Sequence, residues 1–229
     1  MNLVSNEPFH FYTRQNLTYL TGRKARNLLE LLEGISEAPS ATIYYHTHHY
    51  LQQHEFLSPE PPNDFAYWIS NVLQDDVLGE RVASIDLRQY FRLHDIRSKI
   101  ITIIEESIQK GSDPTRTVPA GEEFHFMRSQ TFVFPTKYIA HNLAEFKECL
   151  CSVTIFSIYY HMFESRLRLQ QEWCDFSYWV HNALGEEELA RAIIKLDPYT
   201  RTLENLRLTL VSLVERRLGE DTHDKAQRL

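Results

Sequence analysis

The stretch "IYYHTHHYLQQHEF" runs from Ile43 to Phe56, and its first four letters return as "IYYH" at Ile158–His161. A repeated tetrapeptide with two tyrosines and a histidine has two interpretations. It can belong to a site that uses imidazoles, such as a metal centre, or to a fold whose core needs the same side chains twice. The sequence on either side of the two copies bears on both interpretations.

The flanking sequence indicates an internal duplication. After a shift of about 115 residues, "FHF" at Phe9–Phe11 falls on "FHF" at Phe124–Phe126, and the two IYYH segments coincide without a gap. After a deletion of about four residues, "DFAYWISN" (Asp64–Asn71) falls on "DFSYWVHN" (Asp175–Asn182). Identities this frequent in one register predict two copies of a single unit.

Within each copy the apolar residues recur with the period of a helix. The first predicted helix shows the pattern at Leu28, Leu31, Leu32 and Ile35. The FHF segments instead alternate, which is typical of a strand. The predicted fold class is therefore mainly α, with two homologous helical-bundle repeats related by pseudo-twofold symmetry and a short β-ribbon formed by the FHF segments.

The segment between the copies, "KGSDPTRTVPAGEE" at Lys110–Glu123, holds glycine, proline and charges without an apolar period. Such a composition is typical of a linker. The polar C-terminus is expected to fray. The predicted organisation is a first helical repeat at 1–110, a linker at 111–123, a second helical repeat at 124–218 and a polar tail at 219–229.

Composition narrows the class of protein. The 229 residues are 43% hydrophobic and 24% charged, as in soluble globular proteins. A formal net charge of -7 argues against nucleic-acid binding, which needs a basic surface. Cys149, Cys151 and Cys174 have neither metal nor redox spacing, which indicates reduced thiols. No signal peptide and no apolar run of membrane-spanning length is found, so we expect a cytoplasmic protein without membrane contact.

The IYYH helices offer candidate metal ligands. These are His46, His49, His161 and Glu164. Spacing of i and i+3 places each pair on one helix face, and imidazole and carboxylate groups bind divalent metals. The second copy lacks the second histidine, however, and a core histidine that hydrogen-bonds a carboxylate or carbonyl explains the repetition equally well. His48 and His54 have no histidine counterpart and are expected at the surface.

A second set of candidates lines one flank of the helix that follows. The set comprises Asp64, Tyr67 and Asn71 and their counterparts Asp175, Tyr178 and Asn182. A polar line beside aromatic rings suits a pocket for a small polar molecule such as a sugar. The alternative is structural, since Asp is common at helix caps and the neighbouring Trp and Phe are ordinary core residues.

The combination of "TGRKARNLLELLEGI", "IYYHTHHYLQQHEFLSPEPPNDFAYW" and "LGEEELARAIIKLDPYT" resembles an uncharacterised family of bacterial and archaeal proteins, the domain-of-unknown-function family 5752. The resemblance covers nearly the whole chain, from Phe9 to about Leu218. It implies a duplicated helical protein and carries no established activity, substrate or catalytic residue. It also suggests an accessory role beside carbohydrate-active enzymes.

These observations favour a non-catalytic cytoplasmic module that binds a small polar ligand or a protein partner, as an accessory factor in carbohydrate metabolism. No cofactor is predicted, because nucleotide-binding glycine motifs and hydrolase signatures are missing. The alternative is an enzyme that depends on a divalent metal, with a site built around His46 and His161. The sequence leaves the ligand and the oligomeric state open.

Overall fold

The structure of the chain is a computed structural model, and it describes residues 7–49, 63–196 and 202–226. Two long strands dominate its β structure. Strand β1 (Phe9–Ala25) and strand β2 (Phe124–Ala140) are 17 residues each and pair as an antiparallel two-stranded ribbon. Both strands begin with an FHF segment.

Between the strands, the described residues form a series of helices that ends at Gln109. Its elements are α1 (Leu28–Glu37), α2 (Ser40–Tyr44) with a π-helical turn π1 (Tyr45–His49), α3 (Asp64–Tyr67) with π2 (Trp68–Val72), α4 (Asp76–Ala83), a 3₁₀ turn (Leu87–Gln89) and α5 (Leu93–Gln109). The π turns matter because such turns redirect side chains within a helix and are frequent at functional positions.

The segment after β2 is helical too. Its elements are α6 (Leu143–Ser152), α7 (Ile155–Tyr159) with π3 (Tyr160–Glu164), α8 (Ser165–Leu169), α9 (Asp175–Asn182), α10 (Glu187–Ile194) and α11 (Leu203–Ala226). None of the helices in the described ranges is both long enough and apolar enough to span a bilayer.

The chain divides into two compact units. A central unit comprises Asn16–Thr131, and a terminal unit comprises Met1–Gln15 with Phe132–Leu229. Each strand therefore contributes to both units: β1 starts in the terminal unit and β2 starts in the central one. As a result, the first FHF segment packs with the helices that follow β2, and the second packs with the helices that precede it. The predicted linker at 111–123 contains neither helix nor strand and lies inside the central unit.

Local sequence explains where the helices begin. The Asn27 side chain accepts a hydrogen bond from the Glu30 main-chain N–H at 2.9 Å, and Asn142 accepts one from Glu145 at 3.0 Å. Each asparagine thus satisfies one of the unpaired N–H groups at the start of α1 or α6. The carboxylates of Glu30 and Glu145 lie in these first turns, where they interact favourably with the positive end of the helix dipole.

An aromatic cluster forms the core of each unit. In the terminal unit the rings are Phe9, Phe11, Phe146, Phe176 and Trp179, with Phe11 stacked on Phe146 at 5.6 Å between centroids. In the central unit the corresponding rings are Phe65, Trp68, Phe124 and Phe126. The clusters bury the FHF rings of the ribbon against helices, and this burial contributes to the stability of each unit.

Phe126 requires a glycine opposite its ring. A Cβ added at Gly34 in α1 would lie 2.1 Å from the Phe126 Cζ atom, well inside van der Waals contact. Gly34 therefore allows the helix backbone to approach the aromatic cluster of the central unit closely.

The predicted fold class is wrong. Helix makes up 59% of the structure and the antiparallel two-stranded sheet 18%, so the chain is a mixture of α and β structure, not a mainly α protein of helical-bundle repeats. The physical reason lies in the strands. Beyond the FHF segments, large apolar side chains such as Leu17, Leu20 and Phe134 are exposed. These strand segments therefore lack the strict alternation of buried and exposed residues that identifies a strand in sequence.

Candidate functional site

In the central unit, His46 connects a helix start to a strand. The residue lies in π1 and is 2% exposed. Its Nδ1 atom is 2.7 Å from Asp64 Oδ2, and its Nε2 atom accepts the Met127 main-chain N–H at 2.9 Å. Asp64 is the first residue of α3, and Met127 directly follows the FHF segment of β2. The imidazole thus joins a helix N-terminus to a peptide group of the ribbon.

In the terminal unit, His161 makes the same connections. It lies in π3 and is 2% exposed. Its Nδ1 atom is 2.8 Å from Asp175 Oδ2, and its Nε2 atom accepts the Tyr12 main-chain N–H at 2.9 Å. Asp175 begins α9, and Tyr12 directly follows the FHF segment of β1. The two histidines therefore have matching hydrogen-bond partners, one set in each unit.

This network assigns the tautomer of both rings. A nitrogen that accepts a main-chain N–H carries no proton, so Nε2 is bare and Nδ1–H donates to the carboxylate. Burial lowers the pKa of His46 and of His161, although the hydrogen bond to the aspartate acts in the opposite sense in each case. Both histidines are accordingly neutral near pH 7.

The carboxylates differ in their surroundings. In the terminal unit, Arg168 donates to Asp175 Oδ1 at 2.8 Å and to Oδ2 at 2.7 Å, and its guanidinium lies 5.3 Å from the centre of the Tyr160 ring. The positive charge of Arg168 further lowers the pKa of His161. In the central unit, the Asp64 side chain is 31% exposed, compared with 17% for Asp175. The pair of the terminal unit is therefore the more enclosed of the two.

Three of the four candidate metal ligands, His46, His161 and Glu164, are engaged in other interactions. Both ring nitrogens of His46 and of His161 are engaged in hydrogen bonds, so a metal could bind only by displacing one of them. Glu164 forms an ion pair with Arg14, whose guanidinium stacks on the Tyr159 ring at 4.4 Å. The His49 side chain falls outside the described residues. Within the part of the chain that the structure describes, no three His, Cys, Asp or Glu side chains are grouped as a metal site requires.

The structure shows where each residue of the predicted polar line lies. Asp64 and Asp175 bind the histidines, whereas the helix caps are Asn63 and Cys174, the preceding residues. Tyr67 and Tyr178 are exposed at 43% and 53%. The exposed amides of Asn71 and Asn182 donate to the carbonyls of these tyrosines, at 3.1 and 3.0 Å. The aspartates thus hydrogen-bond to buried histidines, whereas the tyrosines and asparagines face solvent.

The burial of two polar residues was not predicted from the sequence. Arg14 is 2% exposed within β1, and no sequence signal distinguishes it from a surface arginine. His48 was expected at the surface and is 3% exposed, stacked on Tyr44 with 5.6 Å between centroids. Burial lowers the pKa of His48 to about 4. The corresponding pair in the terminal unit is Tyr159 and Phe163, which explains the error because this position belongs to the core. His54 lies outside the described residues.

The ribbon exposes large apolar side chains in both units. In the terminal unit Phe132, Val133 and Phe134 are consecutive residues of β2 with exposures of 47%, 43% and 45%. In the central unit Leu17 and Leu20 of β1 are 58% and 61% exposed. Because successive strand residues point to opposite faces, both faces of the ribbon around Val133 present apolar surface.

Comparison with known proteins gives a family and a structural relative. The model of a family of unknown function, DUF5752, matches residues 6–215. The solved structure of OrfY from Thermoproteus tenax superposes with a TM-score of 0.80 at 29% sequence identity, covering 93% of this chain and 96% of OrfY. Among curated proteins, none is significantly similar to the chain.

Proposed function

The chain belongs to the family of unknown function DUF5752, and we propose that it is a non-catalytic module that binds a protein partner through its ribbon. The observation that carries this proposal is the pair Phe132 and Phe134, which lie on the same face of β2 and are each exposed by more than two fifths. Monomeric proteins seldom expose contiguous apolar surface, and such surface is typical of an interaction site.

The histidine–aspartate pairs support a structural role over a catalytic one. A general base or metal ligand needs an available nitrogen lone pair. In both pairs the lone pair of Nε2 accepts a main-chain N–H. The pairs anchor the ribbon strands to the helices, and a firmly anchored ribbon presents its exposed rings without a large ordering cost on binding.

The net charge of the chain bears on the kind of partner, and its free cysteines bear on the compartment. With a formal net charge of -7, the chain favours a neutral or basic partner over an acidic one. Cys149, Cys151 and Cys174 are free thiols, which supports action in the reducing cytoplasm. The matching bonds of His46 and His161 also support our inference that the repeats at 1–110 and 124–218 arose by duplication.

The second candidate function is binding of a small polar ligand such as a sugar at the polar line. Exposed Tyr67 and Asn71, with Tyr178 and Asn182, leave aromatic and amide groups available to solvent. Their amides already bond to their own helix, however, so a ligand would have to compete with that bond. We therefore favour the protein partner.

The proposal predicts that a specific cellular partner depends on the ribbon. The variant combines Phe132→Thr and Phe134→Thr, since threonine retains strand propensity and removes the rings. We expect at least about a tenfold loss of affinity for that partner, the effect of losing about 1.4 kcal/mol of contact energy. The measurement is quantitative capture from cell extract with tagged full-length chain, followed by titration of the purified partner.

The matched control is Asn71→Ala, which changes the polar line and leaves the ribbon intact. A partner that binds wild type and Asn71→Ala equally, and the ribbon variant weakly, supports the proposal. Equal capture of every protein by all three chains contradicts it. A sugar that raises the melting temperature of wild type and of the ribbon variant, but not of Asn71→Ala, would instead establish the second candidate.

A further inference from the structure

We propose that each unit contains an acid-sensitive latch, in which a neutral histidine ties a ribbon strand to a helix start and releases the strand when it takes up a proton. The central latch consists of the Met127 N–H, His46 and Asp64. The terminal latch consists of the Tyr12 N–H, His161 and Asp175. This proposal goes beyond the binding function and does not depend on it.

The geometry requires the neutral ring. Each Nε2 atom lies 2.9 Å from a main-chain nitrogen whose hydrogen points at it. A proton on Nε2 would place two hydrogens between the same two nitrogen atoms, so the contact would become repulsive. The main-chain N–H would then lose its acceptor inside the unit, and the strand could satisfy it only by moving towards water.

In the central unit, the described residues around His46 include one group that favours the charged ring. From α3, Asp64 faces Nδ1. From β2, the neighbours are the uncharged rings of Phe124 and Phe126, at 4.7 and 6.2 Å. On its own turn π1, the other titratable residues whose side chains the structure describes are Tyr45, whose ring is 4.9 Å away, and His48, whose Nδ1 bonds to Thr47. Asp64 favours the protonated ring, while burial among aromatic rings opposes it more strongly.

In the terminal unit, the surroundings of His161 hold an extra positive charge. From α9, Asp175 faces Nδ1, and Arg168 of α8 binds that carboxylate. On its own turn the titratable groups are Tyr160 and Glu164, and Glu164 is paired with Arg14 of β1. From β1 the remaining titratable neighbour is Tyr12, whose ring is 6.3 Å away. Arg168 opposes protonation of His161.

The two latches differ in how firmly they hold the strand. In the terminal unit, Ser157 Oγ donates to the Tyr12 carbonyl at 2.7 Å, so both the N–H and the C=O of that residue are tied to α7 and π3. Thr42 stands at the matching position of the central unit, immediately before IYYH, and its buried Oγ1 has no hydrogen-bond partner. Among the residues that the structure describes, the central latch therefore has one hydrogen bond to the strand fewer and no arginine paired with its aspartate, and we expect it to open first as the pH falls.

The test measures main-chain amide exchange by NMR on the full-length chain from about pH 7.5 to about pH 3.5, a range that extends well below the ordinary histidine pKa of about 6.5 because burial lowers the pKa of both rings. Base-catalysed amide exchange slows as the pH falls, whereas opening of a latch would speed exchange at its own amide. As the pH falls through the lowered pKa values of His161 and His46, we expect the protection factors of the Tyr12 and Met127 amides to fall at least about tenfold, which corresponds to about 1.4 kcal/mol. Core amides such as Phe146 stay protected over the same range.

The matched variants are His161→Gln and His46→Gln. A glutamine carboxamide can accept the same N–H and does not titrate in this range. In His161→Gln, protection of Tyr12 should become independent of pH while Met127 still responds, and His46→Gln should show the reverse. If a variant does not fold, the wild-type titration decides, because the midpoint of each histidine ring signal must coincide with loss of protection at its own amide.

Several results would overturn the proposal. Histidine rings that titrate while Tyr12 and Met127 remain protected would show that ring charge and strand release are uncoupled. Loss of protection at Tyr12 and Met127 only together with Phe146 and the other core amides would show global acid unfolding. A response at Tyr12 that persists in a folded His161→Gln variant would assign acid sensitivity to another group.

Discussion

Replacement of Trp179 by alanine is expected to lower the free energy of unfolding by about 3–5 kcal/mol, the usual cost of removing a buried tryptophan. The ring is 7% exposed and packs on Phe9 and Phe146 with centroids 5.6 and 5.3 Å away. Its indole N–H also donates to the Glu7 carbonyl at 2.7 Å. The variant therefore loses aromatic packing and leaves that carbonyl without its indole donor. Denaturant titration followed by circular dichroism measures the change.

The control for this experiment is the neighbouring residue. Tyr178 is 53% exposed, so Tyr178→Ala should change stability by no more than about 0.5 kcal/mol, as expected of a surface substitution. In the central unit, Trp68 is 5% exposed and its indole donates to the Glu122 carbonyl at 2.8 Å, so Trp68→Ala should resemble Trp179→Ala. A denaturation midpoint of Trp179→Ala equal to that of wild type would contradict the assignment of this ring to the core.

Glu164→Gln is expected to cost about 3–5 kcal/mol, because it removes the carboxylate from a buried ion pair. The Arg14 side chain is 1% exposed and the Glu164 side chain 13%. The guanidinium would remain on the Tyr159 ring, but its charge would be desolvated and no longer balanced by Glu164. Thermal and denaturant unfolding of the full-length chain give the change in stability.

Two further variants make this prediction specific. Glu187→Gln removes an ion pair with Arg191 in which both side chains are more than half exposed, and it should change stability little. A double variant, Arg14→Met with Glu164→Met, removes both charges and should recover much of the lost stability, since apolar replacements of a buried pair are often neutral. A double variant less stable than Glu164→Gln alone would show that the charges are not the source of the cost.

The core positions could be predicted from the sequence to a useful extent. The hypothesis that the repeated histidine hydrogen-bonds a carboxylate describes what His46 and His161 do, because an imidazole between aromatic residues has few other partners. The tryptophans of the DFAYW and DFSYW segments fall on the buried faces of their helices, as the apolar stripe indicates. These features are local, since one helical turn and its period determine them.

The features that were missed depend on tertiary structure. The main-chain partners Tyr12 and Met127 carry no signal, because any residue has an N–H group. The pairing of each FHF segment with the helices of the other half depends on strands of 17 residues, and their exposed apolar positions obscure the strand period. His48 was assigned to the surface from its lack of a histidine counterpart, whereas its counterpart Phe163 stacks on a tyrosine in the same way.

The central claim is that His46 and His161 are structural ties, and the tautomer of their rings tests it most directly. A long-range ¹H–¹⁵N spectrum of the ¹⁵N-labelled full-length chain at about pH 7 distinguishes the three forms of each ring, because bare and protonated nitrogens resonate far apart. We predict that both rings are neutral, with the proton on Nδ1 and a hydrogen-bonded, bare Nε2, and that added Zn²⁺ leaves their signals in place. Nε2-protonated or charged rings at this pH, or ring signals that shift with stoichiometric Zn²⁺, would contradict the account.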